Sequence, residues 1–279
     1  MSRPTGRTMM TGGWSFHHVH AGLRWTFVLT ITIILLAAVF IGAVLQRITG
    51  MGLGLVAGPV LSVVLGPAAG VTVVNGLSVV NAANNAWSVR DRTDWRRFSF
   101  LTGGLLIGSL PAVFVVMAID GPWLMVTLGA LVLLALSATM IKTDRMQLSE
   151  NARVPMVIAG AAGGFMSTVV GIAAPAFTVY ARITGWDYRD FVATLHPVIL
   201  VANTLSFLLK IILIGNLDMG GLPGWIWIVA LAAIFIGAYF GDKLNGRMSS
   251  DGMRKLATLL AFAGAVTLLV NGTTELLQG

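Results

Sequence analysis

The sequence predicts an all-α fold: a polytopic transmembrane helical bundle of about ten apolar segments, arranged as two inverted-topology repeats of five, with Gly/Pro-broken helices. Three observations carry this. Of 279 residues, 56% are apolar and only 10% are charged. Water-soluble domains carry about a quarter charged residues, so this chain cannot cover a water-facing surface. The apolar residues fall into runs near the length that spans a bilayer, roughly 20 residues for a helix. Finally, each half of the chain holds one Gly/Pro cluster inside its apolar run, ITGMGLGLVAGP at 48–59 and VGIAAP at 170–175. Glycine and proline both weaken helices, so each cluster marks a break or a very close packing contact.

In chain order, residues 1–24 form a polar, flexible N-terminal tail with Arg3, Arg7, Arg24 and a His17-His18-x-His20 group. No acid or further histidine stands beside those histidines, so no metal site is expected. The apolar segments follow at 25–46, 50–65, 68–88, 98–118, 122–141, 154–169, 171–182, 191–214, 222–239 and 253–270. The first repeat covers 25–145, a connecting cytoplasmic loop 146–153, and the second repeat 154–272. The second and seventh segments are short and interrupted. Each is the second member of its half, as expected of discontinuous helices at a transport site.

The halves align by hand. Gly50 matches Gly171, 121 positions on, and Asn81 matches Asn203; Gly108 matches Gly237 and Leu124 matches Met253, both 129 positions on. A slowly drifting offset is what loop-length changes produce in a duplicated unit. Five segments per unit is odd, so the two units run in opposite directions.

Loop charge gives orientation. Arg90, Arg92, Arg96 and Arg97 follow the third segment, Lys142, Arg145 and Arg153 the fifth, Arg182 and Arg189 the seventh, and Lys243, Arg247, Arg254 and Lys255 the ninth. The loops after the fourth and eighth carry Asp120 and Asp218 and no base. Positive-inside places the basic loops in the cytoplasm and both termini outside; the basic tail is the dissent. The formal charge of +7 is thus a topology signal in short loops, and no nucleic acid is expected as a partner. With no cysteine, thiolate chemistry is excluded.

The Gly50-Met51-Gly52-Leu53-Gly54 through Pro59 break, its partner Gly171-Ile172-Ala173-Ala174-Pro175, and the helices bearing Gly108 and Gly237 resemble those of the TauE/SafE sulfite-exporter family of bacterial membrane permeases. The resemblance runs from Ala38 to about Val270. Ala173 and Ala174 depart from it, standing where that family commonly has glycine. The resemblance implies transport of small anions such as sulfite, sulfoacetate, other sulfonates or related organic acids, in a multi-pass protein of the bacterial inner membrane.

A helix broken in mid-membrane leaves backbone N–H groups that lipid cannot satisfy, and the next half-helix carries positive charge at its N-terminus. An anion answers both. The expected substrate-binding residues are therefore Gly50, Gly52, Gly54 and Gly171, bordered by Thr49, Ser167 and Thr168, with Gln46 a further polar residue beside the first break that could donate to an anion. Arg47 is added as counter-ion, against its alternative as a snorkelling helix-end cation. Asn81 and Asn203 are the repeat-related pair on a polar stripe with Asn75, Ser78 and Asn85, which is either cavity lining or interhelical glue. His196, beside Pro197, is either a satisfied buried histidine or a substrate or proton-coupling group. Lys210, inside the eighth segment, is a second candidate counter-ion ranked below Arg47, against its alternative of snorkelling to the outer face.

All eleven acids lie in loops or at segment edges, so a carboxylate relay is not expected. Coupling would use a proton, a sodium ion or the membrane potential. No catalytic residue, metal or cofactor is expected; partners are a small anionic substrate and the lipid bilayer, with a homodimer left open. The competing readings are a non-transporting membrane scaffold and, behind it, an intramembrane enzyme, which would need an acid/His pairing that the segments lack.

Overall fold

The computed structural model describes residues 16–50, 52–140, 152–215, 224–244 and 250–278, with the side chains of 16–28 and 250–251 excepted. Residues 1–15, Met51, Lys142, Arg145, Asp218 and Arg247 lie outside the described residues, as do the side chains of the three tail histidines.

Among the described residues there are ten α-helices and no strand: α1 (Phe16–Thr49), α2 (Leu53–Leu65), α3 (Pro67–Val89), α4 (Trp95–Ala118), α5 (Gly121–Met140), α6 (Arg153–Val170), α7 (Ala174–Thr184), α8 (Tyr188–Leu213), α9 (Trp225–Leu244) and α10 (Ser250–Gln278), with a 3-10 turn at Arg90–Arg92. Seven are long and apolar enough to cross a membrane: α1, α4, α5, α6, α8, α9 and α10. The short α2 and α7 are two of the exceptions. The third is α3, whose asparagines lower its hydropathy. α1 starts at Phe16, nine residues ahead of the apolar run.

Helix starts follow local chemistry. Asp94 caps α4 by accepting from the Arg97 N–H at 3.0 Å, and Asp187 caps α8 by accepting from Arg189 N–H at 2.9 Å. An acceptor side chain at that position satisfies a donor the helix cannot. Two of the loop acids are thereby accounted for. Large apolar side chains on α4, α9 and α10, among them Ile107, Phe114, Ile228 and Leu259, are more than half exposed, as a lipid-facing surface requires.

Packing follows the repeat. A side chain on Gly104 or Gly108 of α4 would collide with the α6 backbone at Val157 and Ala161, and one on Gly164 of α6 with Leu105 of α4. These helices run parallel. α9 packs on α1 likewise, Gly237 against Phe40 and Ala43, and Gly241 against Val44 and Arg47. With Gly50 matched to Gly171, Phe40 matches Ala161. With Gly108 matched to Gly237, the α4–α6 contact becomes the α9–α1 contact. The two halves are therefore interleaved, each lending its fourth helix to the other's first. The matched helices α3 and α8 pack antiparallel, with Gly76 beside Phe207 and the Thr93 hydroxyl donating to the Ala193 carbonyl at 3.4 Å. The matched pair α5 and α10 is antiparallel too, Gly129 against Ala265 and Gly272 against Pro122. Matched helices running head to tail are what inversion of the second unit demands.

Candidate functional site: two helix breaks around one cavity

Both breaks are built the same way. α1 ends at Thr49, and Gly50 turns the chain with φ 75° while its N–H closes on the Gln46 carbonyl at 2.9 Å. α6 ends at Val170, and Gly171 turns with φ 80° while its N–H closes on the Ser167 carbonyl at 3.0 Å. A left-handed residue after a helix is the ordinary place for glycine. Matched glycines thus perform matched turns, 121 positions apart.

After the turn each chain starts a half-helix with no side-chain cap of its own: Gly52 precedes α2 and Ala173 precedes α7. In the first break, Gln46 reaches across from α1 and its Oε1 accepts from the Leu53 N–H at 3.1 Å. The first helical bond of α2 runs from Val56 N–H to the Gly52 carbonyl, 2.9 Å, so the Gly54 and Leu55 N–H groups lie ahead of it. In the second, Pro175 occupies the first turn and contributes no N–H.

The two breaks meet. A Cβ on Gly54 would collide with the Gly171 carbonyl oxygen, so only glycine permits this approach. Between them lies a cavity of ≈ 30 Å³. Gln46, Gly50, Gly52, Gly54 and Leu55 line one side, Gly171 to Pro175 the other, and Ser78 of α3 with Ile199 and Asn203 of α8 close it. Among the described residues, no acid and no formal cation stands in this lining. The two half-helix N-termini supply partial positive charge, and the Gln46 amide Nε2, which has no other partner, supplies a donor. The arrangement suits an anion small enough to be held by backbone and amide groups.

Five of the sequence-derived candidates line this cavity: Gly50, Gly52, Gly54, Gly171 and Asn203. The other six stand outside it. Thr49 donates to the Leu45 carbonyl at 2.8 Å and faces a different, larger cavity. Ser167 and Thr168 are joined through Ser206, at 3.1 and 2.8 Å. Asn81 is fully buried, and neither amide atom has a partner. His196 is 3% exposed with Nδ1 unpartnered, and its helix runs unbroken through Pro197.

Arg47 binds Asp242 through two contacts, 2.5 and 3.0 Å, and donates to Asn85 at 2.9 Å and Ser88 at 3.3 Å. One guanidinium thus ties α1 to α3 and α9, which satisfies its charge without snorkelling. Of the two alternatives for Lys210, snorkelling is not what the structure shows: its side chain is wholly buried and Nζ has no partner. Its position explains this. Lys210 stands on the inward face of α8, one turn beyond Ser206 and two beyond Asn203, a face that also carries His196. Against it lies the Asn75, Ser78, Asn81, Asn85 face of α3, running the other way. Asn75 Nδ2 donates to the Ser167 carbonyl at 3.3 Å, which ties this polar seam to the second break. Gln46 and Ser78 were legible as polar residues beside a break and on a stripe; what the sequence lacks is the tertiary contact that brings them to the same cavity.

The family model "Sulfite exporter TauE/SafE" matches residues 34–268. The chain belongs to the TauE/SafE sulfite exporter family. No curated protein and no solved structure matches it. The matched span opens inside α1 and closes inside α10, so it contains both breaks and the whole cavity. TauE/SafE proteins are transporters, and seven span-capable helices make this member a multi-pass membrane protein.

Proposed function

We propose that this TauE/SafE protein is a secondary transporter of small anions, with sulfite the leading candidate and small sulfonates such as sulfoacetate next, which binds its substrate between the two breaks and moves it by alternating access across the bacterial inner membrane. The observation that carries the reading is the convergence of two half-helix N-termini, neither capped by its own N-cap residue, on one cavity with no acid among its described lining residues. The backbone N–H groups, the Gln46 amide and the partial positive charge of the half-helix N-termini favour an oxyanion, and no carboxylate among the described lining residues opposes it. At ≈ 30 Å³ the cavity has room for only about two or three waters, a size that favours a compact oxyanion over a bulky organic acid.

In this reading Gln46, Ser78 and Asn203 supply side-chain hydrogen bonds, and the Gly54 and Leu55 N–H groups the backbone ones. The inverted pairing of α3 with α8 supports alternating access, because two related states can exchange the roles of the halves. The outward part of the path runs along the polar face of α8 to Lys210, an unpaired buried cation that an anion would neutralise. Asp242, near the end of α9, is paired with Arg47, and no acid stands among the described residues that line the cavity, so the coupling elements of this reading are His196, a sodium ion held by neutral amide and carbonyl groups, or the membrane potential.

Uptake of sulfite, thiosulfate, sulfoacetate and a carboxylate into proteoliposomes tests the proposal. Saturable movement of sulfite, inhibited by the other sulfur oxyanions, is expected. Failure of every anion to move, and to raise the unfolding temperature in detergent, would sink it.

A further inference from the structure

A second cavity, of ≈ 500 Å³ and half open, lies between α5, α7 and α10. Its rim carries three cations, Arg182 at the end of α7 and Arg254 and Lys255 at the start of α10, and among the described residues its lining contains no Asp or Glu. Its floor includes Leu55 and Pro175, the same two residues that line the small cavity between the breaks. Two apolar side chains are thus the wall between the large cavity and the small one.

We infer that this cavity is a vestibule with its own anion site, in which Arg182, Arg254 and Lys255 collect a small oxyanion from the cytoplasm and deliver it to the Leu55–Pro175 wall. The inference rests on the anion-transport reading above and on the orientation that loop charge gives the chain. It adds a substrate-collecting site and a sidedness that neither contains.

The polar inventory of the cavity points to the cations as the recognising groups. Four threonines line it, but each hydroxyl donates to a carbonyl of its own helix: Thr49 to Leu45, Thr139 to Leu136, Thr178 to Ala174 and Thr258 to Arg254. Their protons are committed. Arg182 donates through Nη1 to the Thr139 carbonyl, which holds the guanidinium at the mouth between α5 and α7. Lys255 and Arg254 are exposed on the first turns of α10. An anion entering from water meets these three positive charges before the Leu55–Pro175 wall, and the attraction of a charged ligand to such a cluster is a long-range effect that salt weakens. A lipid phosphate presents the same chemistry as a free oxyanion, and the headgroup of an anionic lipid is the rival occupant. The shared wall with the inner cavity favours the soluble anion, since a lipid seated there would block the path.

The test is sulfite transport in vesicles of zwitterionic lipid alone, with the protein's orientation fixed and sulfite supplied from either face. Arg182→Gln/Arg254→Gln/Lys255→Gln is expected to raise KM for sulfite at the cytoplasmic face about tenfold, with little change in the maximal rate and none in KM at the opposite face. The wild-type cytoplasmic KM should climb as salt is added, and that of the triple variant should stay flat. Lys255→Arg, added to the wild type, should preserve both behaviours. Because the triple variant could unfold, Arg254→Gln and Lys255→Gln are also measured singly, each expected to reproduce part of the shift. An unchanged cytoplasmic KM, a change equal at both faces, or an effect that appears only when anionic lipid is added would each overturn the vestibule. If wild-type protein moves no sulfite at all, the transport reading itself has failed; if Asn203→Asp abolishes transport while the triple variant behaves as wild type, only the vestibule has.

Discussion

Asn203→Asp probes the charge preference of the inner cavity with almost no change of shape. Asn203 is 3% exposed, lines the cavity and has an unpartnered Oδ1, while its Nδ2 donates to the Ile199 carbonyl at 2.9 Å. The substitution loses that donor and adds a negative charge in contact with the bound ligand. At about 4 Å and an effective dielectric constant of about 20, two like charges repel by about 4 kcal/mol, roughly a thousandfold in affinity. Burial opposes ionisation of the new carboxyl, which reduces the loss at neutral pH, so sulfite transport is to be compared at neutral and alkaline pH. Asn203→Ala is the reference, since it also removes the amide but brings no charge. The aspartate variant should transport at least about 100-fold less efficiently than the alanine variant at alkaline pH, with both retaining a cooperative thermal transition in detergent. Equal transport by the two, with the carboxyl ionised, would refute the argument that the cavity selects anions.

Three further substitutions test other parts of the structure. Arg47→Ala removes hydrogen bonds to two other helices from a largely buried cation and should cost about 2–3 kcal/mol, seen as a lowered unfolding temperature; Asp242→Asn, at a half-exposed partner, should cost less than about 1 kcal/mol. Equal losses would mean that the contacts to Asn85 and Ser88 contribute nothing. Lys210→Met replaces an unpartnered buried ammonium with an apolar chain of similar length and should raise stability by about 1–4 kcal/mol while lowering sulfite flux; a destabilised variant would reveal a partner for Nζ. Gly171→Ala forces a side chain into a left-handed turn, with its Cβ 3.3 Å from Asn75 Oδ1, and should cost about 1–2 kcal/mol; no loss in thermal unfolding would mean the turn relaxes.

The helical architecture was open to reading because its causes are local. Low charge, run length and the Gly/Pro interruptions each act within a segment, and they marked all ten helices to within about three residues except at the start of α1 and the ends of α9 and α10. The pairing of Gly50 with Gly171 was also readable, since both perform the same turn. The cavity itself was less so. Asn81 and Asn203 are equivalent by the alignment, yet only Asn203 lines the cavity, because the amide of Asn81 is packed between helices. Arg47 looked like a substrate ligand from its neighbours in sequence; its carboxylate partner stands 195 positions away, on a helix whose packing against α1 follows from the interleaving of the halves. Lys210 could be read either way from sequence. Its distance along α8 allowed a snorkelling helix end, but the face it occupies is decided by the contact with α3.

The exchange of α4 and α9 between the halves bears on how the protein is made. α4 meets its seam partner α6 soon after leaving the ribosome, but α1 waits for α9, almost the whole length of the chain later. Until then the α1 groove that receives Gly237 and Gly241 stands open to lipid. The first half therefore enters the bilayer as an incomplete body, and the cavity between the breaks acquires its final walls only when synthesis is nearly finished. Long-range contacts of this kind slow assembly, and they also tie the appearance of a transport path to completion of the chain, so that a truncated product holding the first break alone has no opposing wall against which to form one.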